Sequence, residues 1–193
     1  MKDCMRKLIF LISIFLILLF NSPPVFAQTP TPEETELLET VTPTPVRVEY
    51  QLPYPGLLPG SPLYPVKKLR DRIMEIFITD PLKKSDFYLL QADKNLATAI
   101  ILFDRGRKED SESTVSKGEN YLEKSLSKAI DAKERQRYVI ETINRLELSS
   151  MKYQEILKGM SGKSSGDLKK KLENSIKRAE KIEKMVKEIK SSK

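Results

Sequence analysis

Ionisable side chains are plentiful in this chain, with 34 lysines and arginines against 27 acids, yet histidine is absent and the single cysteine is Cys4. Lacking histidine, the chain has neither the commonest general base nor the commonest metal ligand. Carboxylate pairs are the remaining route to acid–base work, but Asp86 with Asp93 and Glu141 with Glu147 stand at ordinary helix-surface spacings. Tyr50, Tyr54 and Tyr64 lie among prolines, where a phenol serves better as an apolar contact than as a catalytic acid. No glycine-rich phosphate loop, nucleophile elbow or metal-ligand cluster occurs. The expectation is a chain that is not an enzyme and uses no cofactor or metal.

The concentrated electrostatic feature lies at the C-terminal end. Of a net charge of +7, residues Ser161 to Lys193 contribute 11 basic against 5 acidic side chains. Lys169, Lys170, Lys177, Arg178, Lys181 and Lys184 form a candidate face for anionic membrane or envelope polymer, held weakly by screened attraction. The competing reading is a solvated helix face with pairs such as Glu173–Lys177 and Glu180–Lys184. Nucleic acid is not an expected partner, because no aromatic or basic recognition motif accompanies the charge.

The N-terminus explains where such a face would act. Lys2, Arg6 and Lys7 precede an apolar run from Leu8 to Phe20, and Val-Phe-Ala precedes Gln28. A basic start, a short apolar run and small residues at −3 and −1 read as a signal peptide over 1–27, cut between Ala27 and Gln28. The run spans roughly 20 Å as a helix against a hydrocarbon core of ~30 Å; an uncleaved membrane anchor is the alternative. Either way the rest is expected to be secreted or extracytoplasmic. Residues 28–52, with two Thr-Pro-Thr-Pro runs around an acidic patch, read as a disordered, extended spacer.

All 12 prolines fall between Pro23 and Pro81, which leaves the back of the chain able to run as long helices. Between the two regimes stands Leu58-Pro59-Gly60-Ser61-Pro62-Leu63-Tyr64-Pro65, continuing into Val66-Lys67-Lys68-Leu69. Its prolines fix φ and its glycine permits a positive one, so the chain is held in a defined turn. This candidate strap either packs over the helices or docks a partner. With the helical stretch from Asp80 to Gly106, the motif resembles the bacterial extracytoplasmic family called domain of unknown function 5667, over roughly residues 52–126. The resemblance implies an exported helical domain and carries over no catalytic residue.

Periodicity then predicts four helices. The first, from about Pro65 to Ile78, carries Val66, Leu69, Ile73, Ile76 and Phe77 as a core-facing stripe. The second starts at the Asp80 cap and Pro81, bears two adjacent apolar stripes and ends at Gly106, so it should be the most buried. The third begins near Ser111 or Ser116 and keeps one heptad phase from Val115 to Met160, spanning roughly 70 Å if unbroken. Its middle, Ser125 to Gln136, is small or polar, which predicts a close approach or a bend. After a Gly/Ser/Lys turn over 159–166, a fourth helix repeats the phase from Leu168 to Ile189.

The expected fold is therefore all-α: an elongated helical bundle ending in an antiparallel coiled-coil hairpin, preceded by a disordered linker. Residues 53–110 would form the family-like strap and two helices, and 111–193 the long helix with its antiparallel mate. The functional expectation is a non-enzymatic structural or interaction protein of the cell envelope or extracellular space. Its partner would be another protein or a second copy meeting the C-terminal hairpin through Ile140, Ile156, Ile176 and Met185. The alternative is a chaperone-like or sensor module, favoured if the seam from Ser125 to Val139 is exposed.

Overall fold

The computed structural model describes residues 47–191, and the elements among them are five α-helices. They are α1 (Tyr64–Phe77), α2 (Pro81–Asp104), α3 (Lys108–Glu134), α4 (Ile140–Gly162) and α5 (Gly166–Ser191). The leader, its Ala27–Gln28 junction and the linker through Val46 lie outside the described residues.

Local chemistry sets the helix ends. Asp80 Oδ1 accepts the Lys83 N–H at 2.9 Å, and Pro81 occupies the first turn, where its missing donor costs nothing. Gly106, at φ +76°, ends α2 in a conformation that side chains resist. α1 begins at Tyr64, with Pro65 in its first turn, in line with the expected start at about Pro65. α3 starts at Lys108, earlier than expected, so Ser111 and Ser116 lie inside the helix instead of capping it.

Hydrogen bonds between helices give their directions. Ser85 Oγ donates to the Ser125 carbonyl at 2.8 Å, and Ser111 Oγ donates to the Ala99 carbonyl at 2.8 Å, so α2 and α3 are antiparallel. Gln154 meets Glu183 and Lys190 meets Glu147, so α4 and α5 are antiparallel as well. Thr142 Oγ1 donates to Asp86, and Ser149 Oγ donates to Asp93; α4 therefore runs parallel to α2. The result is two antiparallel hairpins packed together, an up-down-up-down bundle. Its core joins Leu89, Leu96, Leu122, Leu146, Leu157 and Leu172 with smaller residues from all four helices. α2 has more buried residues than any other helix, as its double stripe predicts.

Three expectations are corrected. The helix read from about Ser111 through Met160 is two helices, separated at Arg135–Val139, where Gln136 adopts φ +56°. Every seam position from Val115 to Met160 except Gln136 is buried, but the chain doubles back instead of extending for ~70 Å. A seven-residue phase carries across the reversal because Ala132 and Val139 happen to close the two halves. Consequently α5 covers both halves: Arg178 reaches Glu119 on α3, and Glu183 reaches α4.

Second, the spacer does not run to residue 52. Val48 and Tyr50 are docked on the bundle, and the described residues fall within one compact unit. Third, the α1 stripe of Val66, Leu69, Ile73, Ile76 and Phe77 faces away from the core, and α1 has no buried residue.

The small middle of the seam does mark a close approach. Ser85 and Ser125 exchange hydrogen bonds with each other's carbonyls at 2.8 Å. One turn away from Leu122, Gly118 lets Tyr153 into the interior, where its hydroxyl donates to the Ala92 carbonyl at 2.6 Å. A Cβ on Gly118 would overlap Tyr153 Oη and lie 3.2 Å from Asn95 Cβ and 3.3 Å from the Ala92 carbonyl oxygen. Tyr153 is fully buried and cannot swing aside. Gly118→Ala should therefore cost about 1–3 kcal/mol by overpacking, exceeding the ~1 kcal/mol gain in helix propensity. Urea unfolding that showed a more stable variant would contradict this packing.

Candidate functional site

Three places gather functional groups: the docked segment around Tyr50, the basic face of α5, and α1 with its strap. At the first, an open cleft of about 700 Å³ is lined by Arg47, Val48, Glu49, Tyr50, Gln51 and Lys152, and the buried ionisable groups beneath it are paired with one another. Tyr50 Oη donates to Asp93 Oδ2 at 2.5 Å, and Ser149 Oγ donates to Asp93 Oδ1 at 2.6 Å. Asp93 is only 2% exposed, and burial pushes its carboxyl above the ordinary carboxylate range. The bonds from Ser149 and Tyr50 and the charge of Arg145 oppose that shift. Burial, then the Asp93 charge, raises the Tyr50 phenol as well. Nearby, Glu155 accepts the Val48 N–H at 2.8 Å, and Lys152 donates to the Val48 carbonyl at 3.2 Å. Both Asp93 oxygens accept a hydrogen bond, so the arrangement clamps the incoming segment to α2 and α4. Sequence reasoning treated Asp93 as helix surface; only tertiary packing buries it.

On α5, Lys169, Lys170, Lys177, Lys181 and Lys184 are exposed, as an anionic-surface face requires. Arg178 is turned inward instead. Its guanidinium donates to Glu119 at 2.8 Å, to Glu123 at 2.9 Å and to Asn120 at 3.0 Å. Glu119 is almost completely buried, and desolvation raises its carboxyl while Arg178 and Ser175 hold it down. Arg178 thus locks α5 to α3. Of the apolar residues flanking the hairpin, Ile156 and Ile176 pack on the core, while Ile140 and Met185 remain exposed.

The strap is fastened at its ends and open in the middle. Leu52 packs on the core and Pro55 is buried. Arg107 donates to the Pro59 carbonyl at 3.0 Å, and Lys67 Nζ lies 3.3 Å from the Pro55 carbonyl oxygen and 3.4 Å from that of Leu57. Gly56 (φ +75°) and Gly60 (φ +99°) supply the left-handed conformations that the path needs. Leu58 and Pro59 are half-buried and Ser61 closes a turn onto the Leu58 carbonyl, but Pro62, Leu63 and Pro65 are exposed. The motif is therefore both a strap and a display.

α1 follows directly and is mounted in reverse. Its polar stripe of Tyr64, Asp71 and Glu75 is half-buried toward the bundle. Glu75 accepts the Tyr88 hydroxyl at 2.8 Å and lies 3.4 Å from Lys124, whose ammonium also sits over the Tyr88 and Tyr121 rings. Outward, Val66, Leu69, Ile76 and Phe77 are 64%, 60%, 69% and 79% exposed. Between strap and helix lies an open cleft of about 420 Å³, where Tyr54, Leu57, Leu63 and Val66 meet Lys67, Arg70 and Lys94. Among the described residues no carboxylate or cysteine cluster is placed to hold a metal, and no helix is long and apolar enough to cross a membrane.

Two outcomes follow. A carboxyl raised in the folded state contributes stability below its ordinary pKa of about 3.9 and loses that contribution as pH rises through the raised value. Glu119 shares this sign, while Glu75, Asp80, Glu155 and Glu183 are lowered and act oppositely. The difference between Asp93→Asn and the parent isolates Asp93: the variant should gain stability relative to the parent as pH rises above the ordinary carboxylate pKa of about 3.9. A flat difference in urea unfolding would contradict the burial of an ionising group. Separately, Arg178→Ala should cost about 1–3 kcal/mol, because it strands the buried Glu119. Glu123→Ala, removing an exposed partner, should stay within about 0.5 kcal/mol.

No curated protein and no solved structure matches the chain. The family model described as Domain of unknown function (DUF5667) matches residues 56–189, further than the residues that carry the resemblance in sequence, and takes in the hairpin of α4 and α5. Strap, outward helix and four-helix bundle are thus parts of one family domain, and the chain belongs to that family.

Proposed function

We propose that this chain is a non-enzymatic, exported interaction protein of the cell envelope, in which the four-helix bundle is the scaffold and α1 with its strap is the docking element. One observation carries the reading: α1 spends its polar stripe on the bundle and turns its apolar stripe outward. A solitary helix exposing this much apolar surface gains stability only when something covers it. The scaffold supports the role, because α1 is bracketed by Arg107 on the strap and by the Asp80 cap of α2. Export is supported by the composition of residues 1–27. The absence of histidine supports a non-enzymatic role.

A chaperone-like module drew its support from an exposed seam between Ser125 and Val139. Ser125, Ala129, Ala132 and Val139 are buried, so that support is gone. Among the described residues, self-association through the hairpin has Ile140, Leu148 and Met185 as exposed large apolar residues, less than α1 offers.

Hydrogen exchange tests the reading. Amides of residues 64–77 should exchange more slowly in the chain held in its native envelope fraction than in the purified chain, with α2 to α5 unchanged. Equal exchange in both would overturn an interaction role for α1.

A further inference from the structure

The occupant of α1 can be named from the arrangement of its charges. At 3.6 residues per turn, Leu69, Ile73, Val66, Ile76 and Phe77 share one sector of roughly 120°. Arg70 and Lys67 border it on one side, and Arg72 and Lys68 on the other. The two acids, Asp71 and Glu75, lie opposite, against the bundle. Four cations against two acids leave the helix net basic. Apolar centre, cationic borders and acids turned away make the pattern of a helix that lies in the plane of an anionic bilayer. Its side chains would enter the acyl boundary while the borders meet headgroups.

We propose that α1 docks flat on an anionic lipid bilayer, with the strap–helix cleft receiving a lipid headgroup. The cleft supports this independently of the helix pattern. Lys67, Arg70 and Lys94 converge there on apolar walls from Tyr54, Leu57, Leu63 and Val66, which suits a phosphate joined to an acyl chain. Arg70, 60% exposed, also pairs with the half-buried Asp71 at 2.7 Å, which holds its guanidinium beside the cleft. A second copy suits the surface poorly. Two 14-residue helices, each about 21 Å long, bury on the order of several hundred Å², below the ~1,200 Å² of a stable interface. Their cationic borders would also meet like charge.

The inference rests on the proposed envelope location and interaction role. Its test uses the full chain, which contains no tryptophan, so Phe77→Trp places a single reporter on α1. With vesicles of phosphatidylcholine containing one-third phosphatidylglycerol, the emission should shift to the blue and be quenched by bromine on the acyl chains. Vesicles of pure phosphatidylcholine should have little effect, even if residues 8–20 anchor the chain to them. Adding Lys68→Gln, Arg70→Gln and Arg72→Gln should lower the ratio of immersed to free α1 about 100-fold. A Lys181→Trp reporter on α5 should stay at its aqueous emission.

Unchanged emission of the Phe77→Trp chain on the anionic vesicles would overturn the inference. So would an equal shift on neutral ones, or a shift that grows with protein concentration in the absence of lipid, which would mark a second copy. If these fail while residues 64–77 remain protected in the envelope fraction, the interaction role stands with a protein as the occupant. If the protection fails as well, both readings fall.

Discussion

Tyr153 reaches the middle of the bundle because Gly118 carries no side chain there, and α2, α3 and α4 meet on that exchange. The phenol fills the space a Cβ would take, and its hydroxyl is committed to the Ala92 carbonyl. One residue thus joins α4 to both helices of the first hairpin. Around it the interior is built from leucines and small residues, so the helices approach closely and leave little tolerance for added volume. Because α3 must meet both α2 and α4 at this level, a continuous α3–α4 rod is excluded. The reversal at Arg135–Val139 is what lets the second hairpin bring Tyr153 back to Gly118.

The bundle core closes without α1, which buries no residue in it. Its polar stripe is held by Glu75 and the Tyr88–Tyr121–Lys124 cluster, contacts suited to orienting a helix more than to burying it. An amphipathic helix that joined the core would have turned the other way. The same strap that fastens the helix keeps Leu63 and Pro62 exposed beside it, so display and fastening are properties of one short motif.

How far the residues announced this differs from element to element. Asp80-Pro81 and Gly106 delimit α2 unambiguously, because caps act through local backbone chemistry. The seam from Val115 to Met160 names the buried positions correctly, since periodicity reports which face is covered. It says nothing of what covers it, and a turn formed by Arg135–Val139 without glycine or proline leaves no mark on the pattern. The same limit explains α1: its stripe is plain in the sequence, while the direction it faces is decided by partners distant along the chain. In the sequence, Gly118 and Glu119 are only a glycine and an acid within a helical stretch. Their meaning comes from Tyr153 and Arg178, thirty-five and fifty-nine residues further on. Asp93 was legible only as a helical acid until Tyr50 and Ser149 enclosed it.

The clamp on Tyr50 has a mechanical side. Any pull transmitted along the chain from residues before Arg47 arrives first at Val48 and Tyr50, which are tied to Glu155, Lys152 and Asp93. The load passes straight into α2 and α4, and the strap and α1 lie downstream of it. A load applied at Arg47 would thus reach the bundle before it reached the strap or α1.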